Sequence, residues 1–125
     1  MTTLNIGKDF SCDPAGRYIT DNDGNGNDGS TFREDYLKQR ILDLRPGEKL
    51  IVILDDGPQG YGSSFLTEGF AGMVKFGYIK ASDLTDKLDL TYTDEDFFFF
   101  KKKILRYIKE AKFNTEVYNS GTNSD

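Results

Sequence analysis

Leu50-Ile51-Val52-Ile53-Leu54-Asp55-Asp56, followed by Gly57-Pro58-Gln59-Gly60-Tyr61-Gly62 and then Ser63-Ser64-Phe65-Leu66, reads as a buried strand, a glycine loop and the start of a helix. Five consecutive aliphatic residues ending in two aspartates suit the centre of a covered, largely parallel sheet. The loop after such a strand is where α/β folds place their working groups. The stretch therefore sets two hydroxyls, Ser63 and Ser64, where a helix begins. Either of them is expected to act as a plain N-cap, worth about 1 kcal/mol. Asp55 and Asp56, at the strand's end, are expected to be solvated or to cap a neighbour.

Composition bounds what surrounds this unit. The 125 residues suffice for one domain with a modest core and are too few for separate cofactor and substrate domains. Sixteen basic residues against twenty-one acidic ones, net −5, leave no electrostatic footprint for a phosphate backbone, so no nucleic-acid partner is expected. A single cysteine, Cys12, cannot close an internal disulfide, and no histidine joins it in a zinc site or a nucleophile pair. This reads as a reducing, cytoplasmic setting. The start, Met1-Thr2-Thr3-Leu4-Asn5, has neither a charged nor an apolar targeting region, and no apolar run approaches the roughly 20 residues of a membrane helix.

Working outward, Leu4 and Ile6 alternate with polar neighbours and Arg17-Tyr18-Ile19-Thr20 follows a turn, which predicts two short N-terminal strands. Thr31 and Glu34 stand as a capping box ahead of Phe32, Tyr36, Leu37, Ile41 and Leu44, which repeat at helical spacing up to Pro46-Gly47. Phe65, Leu66, Phe70, Met73 and Val74 form a second stripe, with Gly69 and Gly72 predicted to pack closely on the sheet. Leu88, Leu90 and Tyr92 alternate as a strand with one wet face. Thr93 is expected to cap a long helix with Phe97, Phe100, Ile104, Tyr107, Ile108 and Ala111 on its core side. The result is a single domain over residues 1–113 and a polar, disordered tail over 114–125.

The order β-β-α-β-α-β-α suits a small mixed sheet of about four strands covered by about three helices, the STAS type of α/β fold. Gly16-Arg17-Tyr18, Gly29-Ser30-Thr31-Phe32-Arg33-Glu34, Gly62-Ser63-Ser64-Phe65-Leu66 and Glu68-Gly69-Phe70-Ala71-Gly72-Met73-Val74 also resemble the STAS-like domain family of unknown function found in bacteria, archaea and their mobile elements. The resemblance covers roughly residues 5–80. Through the wider STAS group, with its anti-sigma-factor antagonists, it implies a non-enzymatic regulatory module without a cofactor. Such a module docks on a kinase-like ATPase or another protein, which phosphorylates a serine at this helix start. In those antagonists the serine follows an aspartate almost directly, whereas six residues, Gly57 to Gly62, intervene here. The expected phosphoacceptors are Ser63 and Ser64. The expected partner surface takes in Asp55, Asp56, Gly60, Tyr61, Gly62 and Phe65, and adds Phe98 and Phe99.

Those last two residues fall off the core stripe of the final helix and are flanked by Lys101, Lys102, Lys103 and Arg106. Exposed aromatics framed by cations suit a protein contact, and a homodimer or a wide buried face would equally account for them. Asp21, Asp23 and Asn25 match the opening of a calcium loop, yet Phe32 stands where its bidentate glutamate belongs, which makes the metal site a weak candidate. Gly24, Gly26 and Gly29 spell a dinucleotide fingerprint, but three aspartates in the same loop would repel a pyrophosphate. Two other function classes remain in the sequence. One is a small acidic inhibitor from a mobile element or phage that occludes its target. The other is a small-ligand, nucleotide or metal-binding enzyme using Asp55, Asp56, Glu68 and a hydroxyl.

Overall fold

The computed structural model describes residues 2–19 and 26–117, and the structural statements below concern those residues. Three short strands, β1 (Thr2–Asn5), β2 (Leu50–Ile53) and β3 (Leu88–Thr91), lie in the order β1-β2-β3, every pair parallel. Leu4, Val52 and Leu90 share one register row, and Leu50 stands beside Leu88. All five are buried in a single core.

Each parallel step needs a crossover, and the chain supplies helices for it. Helix α1 (residues 29–42) connects β1 to β2, while α2 (63–75) and α3 (Ala81–Lys87) connect β2 to β3. After β3 a 3₁₀ turn, Glu95–Phe97, leads into α4 (Phe98–Glu110). Right-handed crossovers that step in one direction across a sheet deposit their helices on one face. The burial follows that rule. Phe32, Leu37, Phe65, Phe70, Leu84, Ile104 and Ile108 join the strand residues in the core, whereas the other face carries Thr3, Ile51, Asp89, Asn5, Ile53 and Thr91, none of them buried.

The predicted α/β class holds, but the described sheet has three strands rather than four and is wholly parallel rather than mixed. Arg17-Tyr18-Ile19 is not a strand, and Thr20 lies outside the described residues. The carbonyls that a ladder would have used accept instead from the start of α1, Gly16 O from the Gly29 N–H and Arg17 O from the Ser30 N–H, 2.9 and 2.8 Å. Nor is the sheet covered on both faces. At the other end, the Asn114 N–H donates to Val74 O at 2.9 Å and the Glu116 N–H to Lys75 O at 3.0 Å, and residues 118–125 of the expected tail lie outside the described residues.

Helices α1 and α2 cross so closely that their contact decides several side chains. Gly29 lies against α2, where an added Cβ would stand 2.9 Å from both Glu68 Cβ and Phe65 O. At Gly72 the same atom would come within 2.5 Å of Arg33 Nη1. The glycines in α2 thus permit close packing, though against α1 rather than against the sheet. Both helices contain a π-helical stretch, Arg33–Leu37 and Thr67–Ala71, and a fully buried ion pair joins the two. Arg33 donates through Nη1 to Glu68 Oε2 and Glu68 O, both at 2.7 Å, and through Nε to Glu34 Oε2 at 2.9 Å. Its guanidinium sits 4.5 Å from the Phe76 ring centroid. Tyr78 donates its hydroxyl to Glu34 as well, at 2.7 Å.

The capping box is therefore not formed. Asp28 caps α1, accepting from the Thr31 N–H and from the hydroxyls of Ser30 and Thr31, which leaves Glu34 to the arginine. Asp94, likewise, caps the 3₁₀ turn in place of Thr93, accepting from the Asp96 N–H at 2.9 Å.

Candidate functional site

Parallel strands bring their carboxyl ends to one margin, and the loops that leave them there build the candidate site. Asp55 follows β2 and points across to the loop after β3. Its Oδ2 accepts from the Thr93 N–H at 2.8 Å, the Thr93 hydroxyl at 3.1 Å and the Asp94 N–H at 2.7 Å. Burial pushes this carboxyl up, but the three donors outweigh burial and hold it below the usual carboxylate value. Asp56 turns toward β1, accepting from Asn5 Nδ2 at 2.8 Å and standing 3.5 Å from Lys8 Nζ. The two carboxylates thus serve different loops and do not converge as a pair.

From Gly57 the loop runs past a depression of about 430 Å³, bounded by residues 12–15 on one side and by Gly57, Gln59 and Gly60 on the other. Gly60 is half-buried because the Phe100 ring lies over it, 3.1 Å from where a Cβ would stand. Tyr61 turns inward. Its hydroxyl donates to Leu54 O at 2.6 Å and its ring packs on Phe65 and Phe100, at centroid distances of 5.8 and 5.6 Å. Burial, with the nearby Asp55 charge, raises the Tyr61 hydroxyl far above the ordinary phenol value. Tyr61 and Phe65 do not reach the surface. They were expected on the partner surface, but Tyr61 is only 7% exposed and Phe65 not at all, since both aromatic rings fill the core beneath the loop.

Gly62, not a serine, occupies the N-cap position of α2 and offers no side chain to it. Ser63 and Ser64 follow as the first two helical residues, and both are exposed. Freed from capping, the Ser63 hydroxyl is met by α4. Lys103 Nζ donates to Ser63 Oγ at 3.3 Å and the Tyr107 hydroxyl at 3.2 Å. The hydrogen bond to Ser63, together with the Lys103 and Arg106 charges, brings the Tyr107 phenol below its usual value despite some burial. The Ser64 hydroxyl makes no hydrogen bond among the described residues.

Beside this point α4 exposes Phe98 and Phe99, 47% and 54% accessible. Lys102 Nζ lies 5.0 Å from the Phe98 centroid and Lys103 Nζ 4.7 Å from that of Phe99. Six of the predicted site residues thus reach this margin with some exposure, Asp55, Asp56, Gly60, Gly62, Ser63 and Ser64, and Phe98 and Phe99 flank it. Asp21, Asp23 and Asn25 lie outside the described residues. Among the described residues no group of three or more His, Cys, Asp or Glu could hold a metal ion, and no helix is long and apolar enough to cross a membrane. No family model, curated protein or solved structure matches the chain.

Lys103 and Tyr107 were missed as site residues by sequence reading. They are some 40 positions from Ser63, and only the packing of α4 on α2 brings them there. Arg33 and Glu68 lie in separate motifs 35 positions apart, and no local pattern shows that they meet. An arginine among apolar residues on one helix, and a glutamate between small residues on the next, was the only available hint.

Proposed function

We propose that this chain is a non-catalytic regulatory module that binds a protein partner, a kinase-like ATPase in the first instance, over the rim formed by residues 57–64. Ser63 and Ser64 are its modification sites. The observation that carries this reading is the exposed pair of hydroxyls in the first turn of α2, with Lys103 and Tyr107 already directed at one of them. A phosphate there adds about −1.5 to −2 charges, beside backbone N–H groups that have no helical partner and beside an ammonium. The location therefore favours the modified state. Support for a role without catalysis comes from Asp55 and Asp56, which are engaged with separate loops as structural acceptors.

Intact-mass measurement after incubation with candidate kinases tests the switch, with one added phosphate per chain expected on wild type and none on the Ser63→Ala, Ser64→Ala double variant. Partner binding by that double variant with an unchanged response to kinase would remove the serines from the account.

A further inference from the structure

The outward face of α4 carries charges that nothing else in the described chain neutralises. Residues 98–112 contain Lys101, Lys102, Lys103, Arg106, Lys109 and Lys112 against Glu110 alone, in a chain whose net charge is −5. Immediately before them stand Asp94, Glu95 and Asp96. The ion pairs recorded among the described residues join Lys8, Arg17, Arg33 and Lys38 to acids elsewhere, and none reaches this segment. Lys102 instead lies over Phe98, and Lys103 over Phe99 and against Ser63.

The order along the face matters more than the total. At 3.6 residues per turn, Glu95, Asp96, Phe99, Lys102, Lys103 and Arg106 fall on one side of the 3₁₀ turn and helix. All are exposed except Lys103, which is partly so. Read from the N-terminus the side runs acidic, aromatic, basic, with Phe99 at its centre. Such a strip is complementary to itself when reversed. Around a two-fold axis through Phe99, Glu95 of one copy faces Lys103 of the other, Asp96 faces Lys102, and the two Phe99 rings meet. The Glu95–Lys103 pair lies four residues from the axis and the Asp96–Lys102 pair three, about 6 and 4.5 Å at roughly 1.5 Å per residue. A twofold contact of this kind is isologous and closed, so it stops at two copies.

We infer that the chain forms a weak homodimer through antiparallel pairing of the α4 faces. A lipid surface suits the strip less well, because the carboxylates of Asp94, Glu95 and Asp96 would enter an anionic headgroup layer beside the phenylalanines. A helix pair buries less than the roughly 800 Å² per partner of a standard complex, so the association is transient and salt-sensitive. It goes beyond the reading above by giving Phe99 to a second copy, and it leaves the 57–64 rim to the heterologous partner.

Sedimentation velocity over a concentration series tests the dimer. Wild type is expected to move from monomer toward dimer as concentration rises, and to return toward monomer on raising salt from about 50 to 500 mM, where the screening length drops severalfold. The E95K/D96K and K102E/K103E variants are each expected to stay monomeric, whereas an equimolar mixture of the two associates again. Circular dichroism confirms that each variant is folded. A wild type that is monomeric at all concentrations, or a dimer that survives in both reversed variants, overturns the proposal. So does a monomeric wild type that captures a poly-glutamate peptide through Lys102 and Lys103, which would assign the face to an acidic protein. The E95K/D96K variant leaves residues 57–64 untouched, so partner binding through the rim is read independently of the dimer.

Discussion

The crossing of α1 and α2 and the outer face of α4 are both rich in charge and aromatic side chains, and they dispose of them in opposite ways. At the crossing, Arg33 is fully buried and its donors meet Glu68 and Glu34 within the same domain. On α4 and the 3₁₀ turn before it, Lys102, Arg106 and Glu95 remain exposed and find no acid or base among the described residues. Both regions stand out in the sequence, but for different reasons. The glycine-rich motifs mark where two helices approach, and the run of phenylalanine and lysine marks a surface. Motif density alone therefore does not locate a binding face. What distinguishes the two is whether the fold itself completes the charge.

Breaking the buried pair is the strongest way to separate them. Arg33→Ala leaves the buried Glu68 carboxylate without its guanidinium and is expected to cost about 3–5 kcal/mol, measured by urea denaturation, whereas Glu68→Ala leaves Arg33 paired with Glu34 and is expected to cost less. A double replacement by Met and Leu of similar volume is expected to recover most of that loss, because it removes both desolvation penalties together. If the double variant is as unstable as the singles, the crossing depends on the hydrogen bonds themselves rather than on charge balance.

Asp55 offers a test of intermediate size. Replacing it with Ala strands the Thr93 and Asp94 N–H groups and is expected to cost about 1–2 kcal/mol at neutral pH. Its folded-state carboxyl is held below the ordinary value of 3.8. The stabilisation it supplies is therefore fully present above that value and is lost as pH falls through the lower, folded one. Thermal melts from pH 7 down to about 2.5 are expected to show wild type losing more stability than Asp55→Asn over this acidic window. Parallel curves would remove the carboxylate from the explanation. The smallest effect belongs to α4, where Lys102→Glu is expected to change monomer stability by no more than about 0.5 kcal/mol. A large loss there would mean that the face is completed within the fold after all.

How much of this was legible depends on the range over which each signal acts. The β2 strand follows from its unbroken aliphatic run, and the second helix stripe and α4 from periodicity, because these signals are local and strong. Helix α3 was not seen, since Leu84 is the one buried residue of its seven and no stripe forms. Arg17-Tyr18-Ile19 was misread as a strand because extended, partly apolar segments look alike whether their carbonyls meet a ladder or a helix start. At the site, the position of the two serines was readable from the strand, loop and helix order. The inward turn of Tyr61 was not, because it depends on its hydroxyl reaching Leu54 O across the loop. The same holds for Lys103 and Tyr107, which are brought to Ser63 by tertiary packing alone.

The one-sided sheet separates two properties that usually travel together. Strand β2 has a neighbour along both of its edges, so its amides are bonded on either side, yet Ile51 and Ile53 are only half-covered. Amide exchange along β2 should be slow, as for an interior strand, while a solvent-borne carbene label should mark those two isoleucine side chains as readily as a surface. In this chain the middle of the backbone network lies at the boundary with water.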